Sequence, residues 1–229
     1  MSDKILVTGA TGFVGSHLVR KLVERDFRVA IITRPISNVE RIKDILSKVE
    51  RYDAVLSDAR SVKEVVQKSN PDGIFHLAVS NMMSGTTASD EEVLSTNLEG
   101  TKNLIDAAEH LEYKFFINTG SFLEYGPKGG PVEETDRCEP TELYSITKLA
   151  GTLYAQAVSR TENKPIFTFR LFTPYGPSIP KGRLVEMVIS RALRNEDINL
   201  TKPTISRDYI FVADIVDVYM EAMDKAKQF

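Results

Sequence analysis

The sequence predicts an α/β fold in which helices cover both faces of a doubly wound parallel sheet. Short apolar runs alternate with helical patterns along most of the 229 residues, and apolar strands separated by helices are typical of parallel sheets. Three glycines, Gly9, Gly12 and Gly15, stand directly between the first apolar run and the first helical pattern. Folds of this class bind ligands beyond the carboxyl ends of their strands, so we expect the functional residues there.

Six apolar runs account for the predicted sheet, at residues 5–7, 29–32, 54–56, 74–77, 115–117 and 167–171. The predicted helices, whose apolar residues recur on one face, are residues 12–25, 91–111, 143–160, 184–194 and 214–225. Beyond Arg160 the pattern changes, because residues 171–206 carry many prolines and glycines around one short helix. We therefore predict a core domain of residues 1–170 and a smaller portion, residues 171–229, that returns loops and a helix to it.

Composition and charge exclude several classes of function. A formal net charge of -3 gives no basic surface for nucleic acid, and no Lys/Arg-rich run indicates membrane binding. The apolar runs are too short to span a bilayer, and the first residues lead straight into a predicted strand, so we expect no signal peptide. The lone Cys138 cannot form an internal disulfide, and the three histidines form no metal-ligand pattern. We expect a cytoplasmic, metal-free protein.

The glycine cluster predicts a dinucleotide site. Glycines allow a tight turn after the strand and let a pyrophosphate approach the helix N-terminus, whose free N–H groups favour anions. The spacing is G-x-x-G-x-x-G rather than G-x-G-x-x-G, and three glycines can also serve only as a structural turn. The strand–turn–helix context favours the dinucleotide interpretation, which makes residues 1–170 a Rossmann domain.

The end of the second predicted strand bears on the choice of dinucleotide. An acid is expected there to hold the ribose 2′-hydroxyl, but Thr33 and Arg34 occupy the position. A guanidinium can pair with a 2′-phosphate, so we predict NADP(H) in preference to NAD(H), which remains possible. The alternative is that Arg34 is merely solvated.

Tyr144 and Lys148 supply a candidate catalytic pair. Their i, i+4 spacing places a phenol and an ammonium on one helix face, and Ser121 adds a hydroxyl just past the fifth strand. A nearby ammonium is expected to favour the phenolate and prepare Tyr144 for proton exchange. The alternative, a surface tyrosine and lysine with an incidental serine, is weakened by the preceding glycine loop.

Together these motifs resemble the extended short-chain dehydrogenase/reductase family, also called the NAD-dependent epimerase/dehydratase family. The segment 7–15 is similar to its cofactor loop, 76–78 to its fourth-strand motif and 207–214 to its late motif. The resemblance assigns a catalytic tetrad of Asn97, Ser121, Tyr144 and Lys148. It assigns the cofactor to Gly9, Thr11, Gly12, Phe13, Val14, Gly15, Thr33, Arg34, Asp58, Ala59, Leu77, Ala78, Val79, Tyr144 and Lys148. It assigns the substrate, a nucleotide sugar, to Ser121, Thr173, Arg183 and Arg207.

The resemblance also implies individual roles for the tetrad. Tyr144 would exchange the proton, Ser121 would hydrogen-bond the reacting sugar oxygen, and Lys148 would anchor the nicotinamide ribose. Asn97 would support a water in the proton relay. By contrast, we interpret His76 as a buried histidine whose ring nitrogens are satisfied within the core.

Among the reactions of the family, the sequence favours reduction. Dehydratases carry acids beside the catalytic hydroxyl, whereas Phe122 and Leu123 are apolar and Glu124 lies one place too late. Segments 117–121 and 200–209 are similar to reductases of 4-keto-6-deoxy nucleotide sugars, such as CDP-abequose and CDP-paratose synthases. We predict this reaction; the alternatives are an epimerase that holds NAD tightly and a non-catalytic NAD(P)-binding redox sensor.

Two further expectations concern the whole chain. Family members continue past residue 225 with another strand and a small lobe, so we expect a reduced C-terminal substrate-binding portion. We also expect a two-fold homodimer, in which helices 91–111 and 143–160 pair with their copies. Leu94, Leu104, Leu153 and Val158 would supply apolar contact area.

Overall fold

A six-stranded parallel sheet forms the centre of the fold. The computed structural model describes residues 2–80, 88–200 and 206–226. The strands of this sheet are β1 (Lys4–Thr8), β2 (Arg28–Thr33), β3 (Val49–Asp53), β4 (Gly73–His76), β5 (Phe115–Ser121) and β6 (Ile166–Leu171). Their order is β3-β2-β1-β4-β5-β6, with every pair parallel. The order reverses between β1 and β4, which confirms the predicted doubly wound, Rossmann-type fold.

Seven helices connect these strands or follow them within the described residues. They are α1 (Phe13–Glu24), α2 (Ala59–Ser69), α3 (Asp90–Leu94), α4 (Gly100–Ala107), α5 (Leu143–Glu162), α6 (Leu184–Leu193) and α7 (Val212–Ala226). Two 3₁₀ segments, Glu40–Lys48 and Phe122–Tyr125, precede β3 and follow β5. None of these helices is long and apolar enough to cross a membrane.

The sheet divides the apolar interior into two cores. Successive strand residues point to opposite faces, so Ile5 and Val7 lie in one core and Leu6 lies in the other. The first core is closed by α1 and α7, and the second by α2, α4 and α5. Because both faces are covered, the central strands carry almost uninterrupted apolar sequence.

The predicted third strand, residues 54–56, is wrong. The strand is Val49–Asp53, whose charged side chains are mostly exposed because β3 pairs only with β2 at the sheet edge. Ala54 and Leu56 are buried in the second core, but they belong to the loop that follows the strand. The apolar residues at 54–56 therefore reflect burial in the core and not a strand.

The predicted helix 91–111 is interrupted. Helix α3 ends at Leu94, a π-helical turn spans Ser95–Glu99, and α4 then runs from Gly100 to Ala107. Single π turns inside helices occur frequently at functional sites. This one contains Asn97, a member of the predicted tetrad.

Beyond β6 the chain forms a small second sheet and two helices. Strands β7 (Thr173–Tyr175) and β8 (Tyr209–Phe211) pair in parallel, a pairing that the sequence did not predict. Helix α7 returns to the first core, where Tyr219 and Met223 are fully buried. Residues 201–205, part of the segment compared with sugar reductases, lie outside the described residues. The domain boundary at residue 170 stays a prediction.

Candidate active site

The glycine loop adopts a conformation that only glycine supports. Gly9 has φ +70°, and a Cβ there would lie 2.5 Å from the Leu77 carbonyl carbon. A Cβ on Gly15 would lie 2.1 Å from the Gly9 carbonyl oxygen, so its absence lets α1 approach the loop. Gly12 caps α1 without a side-chain hydrogen bond. The first amides of α1 are thus left for an anion, as a pyrophosphate requires.

A cavity of about 520 Å³ opens beside this loop at the carboxyl edge of β1 and β2. Eight residues of the predicted cofactor set line it: Gly9, Thr11, Gly12, Thr33, Arg34, Leu77, Ala78 and Val79. Among the other predicted residues, Phe13, Val14 and Gly15 lie in the first turn of α1, and Asp58 and Ala59 at the start of α2. The Asp58 carboxylate accepts hydrogen bonds from the amides of Arg60 and Ser61, which gives it a role as helix cap.

The cavity also has lining residues that the sequence did not indicate. Residues 54–56, predicted as strand, form part of its wall, and so does Glu92. The Glu92 carboxylate lies 3.0 Å from a guanidinium nitrogen of Arg34, and both side chains are exposed. The Thr33 hydroxyl donates to the carboxylate of Asp53, 3.0 Å away. An acid therefore does stand near Thr33, contributed by β3 instead of β2.

Ser121 and Tyr144 lie together at the carboxyl edge of β5. Ser121 is the last residue of β5, and Tyr144 lies in the first turn of α5, which begins with a capping box between Glu142 and Ser145. The pKa of Tyr144 is raised by burial of the phenol and by the Glu124 carboxylate, and the nearby Ser121 hydroxyl and the Arg183 cation act in the opposite direction. We expected a lowered pKa caused by Lys148; the structure shows a net rise, because burial dominates.

Lys148 lies one turn further along α5 and is buried. Burial lowers its pKa to about 8, against the opposing effect of Glu124. No ion-pair partner for its ammonium is found in the described part of the chain. The interpretation of His76 is confirmed: its ring nitrogens lie 2.7 Å from the Thr8 hydroxyl and 2.9 Å from the Thr101 hydroxyl.

Asn97 is buried, and its side chain is fully hydrogen bonded. Its amide nitrogen donates to the Ser80 carbonyl at 2.9 Å and to the Thr147 hydroxyl at 3.1 Å, and its amide oxygen accepts from the Ser80 N–H. Its backbone carbonyl accepts from Thr101. Asn97 thus ties the segment after β4 to α5, directly beside Lys148. Its expected role in a proton relay stays a prediction.

The predicted substrate residues surround the same edge. Thr173 lies in β7, and Arg183 precedes α6 near enough to Tyr144 to affect its pKa. The Arg207 guanidinium lies 5.5 Å above the Phe122 ring, which stacks on Phe172 at 5.3 Å. This aromatic stack was missed, because Phe122 and Phe172 lie 50 residues apart with no motif to connect them.

A buried carboxylate lies behind the site. Glu124, in the 3₁₀ turn after β5, has no exposed surface and forms an ion pair with Arg170 of β6 at 2.8 Å. The sequence had placed Glu124 only as an acid that does not fit the dehydratase pattern.

The glycine loop, the cavity and the Ser121–Tyr144–Lys148 group define a dinucleotide-dependent oxidoreductase or epimerase. A family model described as the NAD dependent epimerase/dehydratase family matches residues 5–229. The chain therefore belongs to this family, and the resemblance seen in its motifs is confirmed.

Similar proteins carry out different reactions on nucleotide sugars. CDP-abequose synthase of Salmonella muenchen is 25% identical over 224 residues, which cover 97% of this chain and 71% of that protein. UDP-glucose 4-epimerase of Thermotoga maritima, solved with UDP-glucose, has a TM-score of 0.85 at 27% identity. The match covers 96% of this chain and 73% of the epimerase chain. UDP-glucuronic acid 4-epimerase of Bacillus cereus, solved with UDP-glucuronic acid and NAD, has a TM-score of 0.83 at 26% identity, with the same two coverages.

Proposed function

We propose that this chain reduces the 4-keto group of a 4-keto-6-deoxy nucleotide sugar, with Tyr144 as the proton donor. The observation that carries the proposal is the arrangement of Ser121, Tyr144 and buried Lys148 at one sheet edge, with apolar side chains directly after Ser121. NADP(H), the cofactor proposed for the neighbouring cavity, supplies the hydride when bound.

The residues present fit a dinucleotide. A Cβ at Gly9 would collide with the backbone of Leu77 and Ala78, so the turn in front of α1 requires glycine, and the uncapped amides of the first helix turn suit a pyrophosphate. Lys148 has a buried ammonium that forms no ion pair with a carboxylate of the described residues. Ribose hydroxyls would give this ammonium the hydrogen-bond acceptors that burial otherwise denies it.

Protonated Tyr144 suits the reductive direction. Its raised pKa keeps the phenol neutral at neutral pH, so the group holds a proton to give to the carbonyl oxygen as that oxygen gains negative charge. The Ser121 Oγ accepts from the Leu123 N–H at 3.2 Å, and its hydroxyl lies within hydrogen-bonding reach of the Tyr144 phenol. A sugar oxygen between the two groups would accept the Ser121 hydrogen in place of the phenol. Two donors would therefore converge on the developing alkoxide.

Phe122 and Leu123 support a substrate that lacks a 6-hydroxyl. A dehydratase must move protons at carbons 5 and 6 of the sugar, and neither side chain can do so. An apolar surface beside Ser121 suits the methyl group of a 6-deoxy sugar. Arg183 and Arg207 stand on the substrate side, where guanidinium groups can pair with a diphosphate.

The test combines cofactor absorbance with product analysis. Parent protein mixed with NADPH and a 4-keto-6-deoxy nucleotide sugar should consume the cofactor in proportion to the reduced sugar. Tyr144→Phe should lower the rate by about 10²–10⁴-fold with cofactor binding retained, because one positioned acid is lost. Tyr154→Phe, on the same helix with its hydroxyl on Asp106, is the matched control and should keep the parent rate.

Other outcomes would identify the alternatives. Interconversion of sugars without net change in cofactor absorbance would indicate an epimerase, in which hydride leaves and returns. Cofactor binding with no turnover of any nucleotide sugar would favour the redox sensor. Equal rates for the parent and Tyr144→Phe would refute the assignment of the proton donor.

We further propose a preference for NADP(H) over NAD(H), which is also accommodated. Arg34 lines the cavity with an exposed guanidinium, and its only partner in the described chain is an equally accessible carboxylate, Glu92. A 2′-phosphate could displace that carboxylate.

Fluorescence titration of both cofactors tests this preference. Arg34→Ala should reduce the difference between the binding free energies of NADPH and NADH by roughly 1–3 kcal/mol, the scale of a charged hydrogen bond. Glu92→Gln should increase this difference, since it removes a competitor of the phosphate. Arg25→Ala, which breaks a similar surface pair with Asp224, should change neither affinity. Equal affinities in the parent would disprove the preference.

We also propose a two-fold homodimer formed through α3 and α5. Leu94, Ile146 and Leu153 are 42%, 47% and 52% exposed on these two helices, which contact each other. Leu104 and Val158, expected to contribute, do not fit this role. Leu104 is fully buried and Val158 packs against the second core.

A further inference from the structure

The buried Glu124 carboxylate forms hydrogen bonds with three different elements of the fold. Its Oε1 accepts from the Ser121 N–H at 2.8 Å and from the Thr152 hydroxyl at 3.2 Å, and its Oε2 accepts from Arg170 Nε at 2.8 Å. These partners belong to β5, α5 and β6. One carboxylate therefore joins the end of the strand that carries Ser121 to the helix that carries Tyr144 and Lys148.

The neighbouring residues make room for this carboxylate. A Cβ on Gly120 would lie 2.6 Å from Glu124 Oε1, so a larger residue there would displace it. Arg170 is itself held, since its Nη1 donates to the Tyr125 hydroxyl at 3.2 Å and its guanidinium lies 4.8 Å above the Tyr125 ring. A buried ion pair costs desolvation of both groups, and an apolar pair of equal size often stabilises a fold as well. Stability alone therefore gives no reason to bury a carboxylate here.

We infer that Glu124, held by Arg170, is a positioning residue of the active site: it fixes the turn that carries Ser121 and, through Thr152, places its carboxylate against the face of α5 that carries Tyr144 and Lys148. The inference rests on the proposed function, because it takes Ser121 and Tyr144 as the groups that meet the substrate. Glu124 itself is enclosed and does not touch substrate.

The positioning of Ser121 follows from a reciprocal pair of hydrogen bonds. Glu124 accepts from the Ser121 N–H, while Ser121 Oγ accepts from the Leu123 N–H. This capping box holds the Ser121 side chain, and therefore its Oγ, in one position at the end of β5. Without Glu124 the Ser121 amide would lose its acceptor, and the turn could relax.

The effect on Tyr144 is electrostatic. The negative charge of Glu124 raises the pKa of Tyr144 and also that of Lys148, so it favours the neutral phenol and the charged ammonium. The other charged group that acts on the phenol is Arg183, at the start of α6, which lowers the pKa of Tyr144.

Two further ionisable groups, His76 and Arg170, lie close to Lys148 and Glu124. His76, on β4 near Lys148, stays neutral, with its pKa lowered to about 3 by burial and by Lys148. Arg170 faces Glu124 from β6 and keeps its charge. Glu124 is therefore the anion that favours protonated Tyr144, as reduction requires.

The test is a tyrosinate titration that needs no substrate. The ultraviolet difference between a protein and the same protein carrying Tyr144→Phe isolates the ionisation of Tyr144. In Glu124→Gln, which keeps the shape of the side chain but removes the charge and one acceptor oxygen, the midpoint of Tyr144 should move to lower pH. Glu139→Gln, an exposed carboxylate paired with Lys128, should leave the midpoint where it is in the parent.

Two further variants separate charge from folding. Glu124→Gln/Arg170→Gln removes both charges, leaves no unpaired ion in the interior and should also lower the midpoint. Glu124→Asp retains the charge and should keep a midpoint near that of the parent, even where its shorter reach weakens the Ser121 turn. A purely structural role would lower the melting temperature of Glu124→Gln and leave the midpoint unchanged.

An unchanged midpoint in a folded Glu124→Gln or in the double variant would overturn the inference. In turnover assays, Glu124→Gln should also move the alkaline limb of kcat to lower pH. Because the titration needs no sugar, it decides the role of Glu124 even when 4-keto reduction fails. Such a failure would appear separately, as NADPH that no keto sugar consumes.

Discussion

At the scale of single residues, an imidazole, an ammonium and a carboxylate are buried close to the candidate site, and the surroundings of each differ. His76 stays neutral between the hydroxyls of Thr8 and Thr101. Lys148 has its pKa lowered to about 8 by burial, and Glu124 is paired with Arg170. All three lie near the carboxyl edge of the sheet, where the candidate chemistry takes place. Buried ionisable groups with shifted pKa values are common at functional sites.

His76 should make the fold sensitive to acid. Its pKa is about 3 in the folded protein and close to 6.5 in the unfolded chain, so between these values the unfolded chain binds a proton that the folded protein does not. The free energy of unfolding should therefore fall as the pH drops from 6.5 towards 3. The slope for one proton reaches about 1.4 kcal/mol per pH unit.

Urea unfolding at several pH values in this range measures that slope. His76→Gln keeps a polar side chain between the two threonines but cannot titrate, so its slope should be shallower than that of the parent. His110→Gln, at an exposed histidine, is the control and should retain the parent slope. If His76→Gln and the parent lose stability in parallel, His76 is not the group that titrates.

At the scale of elements, the sequence predicted best where a segment is buried on a regular period. The two ends of strand β1, helix α1 and helix α5 were each predicted to within two residues, because the apolar residues of these elements face a covered sheet. Strand β3 was misplaced, since an edge strand with one partner tolerates charged residues. The break at residues 95–99 was missed, because a π turn keeps the apolar face nearly continuous and leaves no signal in composition.

The candidate site shows the same division. Ser121, Tyr144 and Lys148 were predictable, because each belongs to a short motif at a fixed place after a strand or on one helix face. The pairs Glu124–Arg170 and Arg34–Glu92 join residues 46 and 58 positions apart. No local pattern encodes such a pair, since it depends on which strands and helices the fold brings together. The sequence also did not predict the direction in which the pKa of Tyr144 shifts, because that direction depends on how deeply the phenol is buried.

At the scale of the whole molecule, the distribution of apolar surface is uneven. Both cores are closed, and helix α7 completes the first by returning to α1. Apolar side chains remain exposed on α3 and α5, and on α6, which buries none of its residues. Helix α6 follows Arg183 on the side that we propose for the substrate, whereas α3 and α5 turn their exposed residues away from the second core. The two sets therefore require different explanations, and the α3–α5 surface is the one we assign to a dimer.

The dimer prediction depends on one continuous apolar surface. Ile146 and Leu153 are seven residues apart and share one face of α5, and Leu94 lies on the adjacent α3. A two-fold axis beside α5 would place this surface against its copy, so each substitution would act twice in the interface. A stable interface buries about 800 Å² per partner, and these residues would lie at its centre.

Leu153→Arg would put two desolvated cations into that centre, and we expect it to yield a monomer at concentrations where the parent is a dimer. Leu193→Arg, at a leucine on α6 that is even more exposed than Leu153, should leave the mass unchanged. Light scattering at tens of micromolar gives the mass directly, and a monomeric parent, or a Leu153→Arg variant that stays dimeric, would show that the apolar surface of α3 and α5 does not serve this purpose.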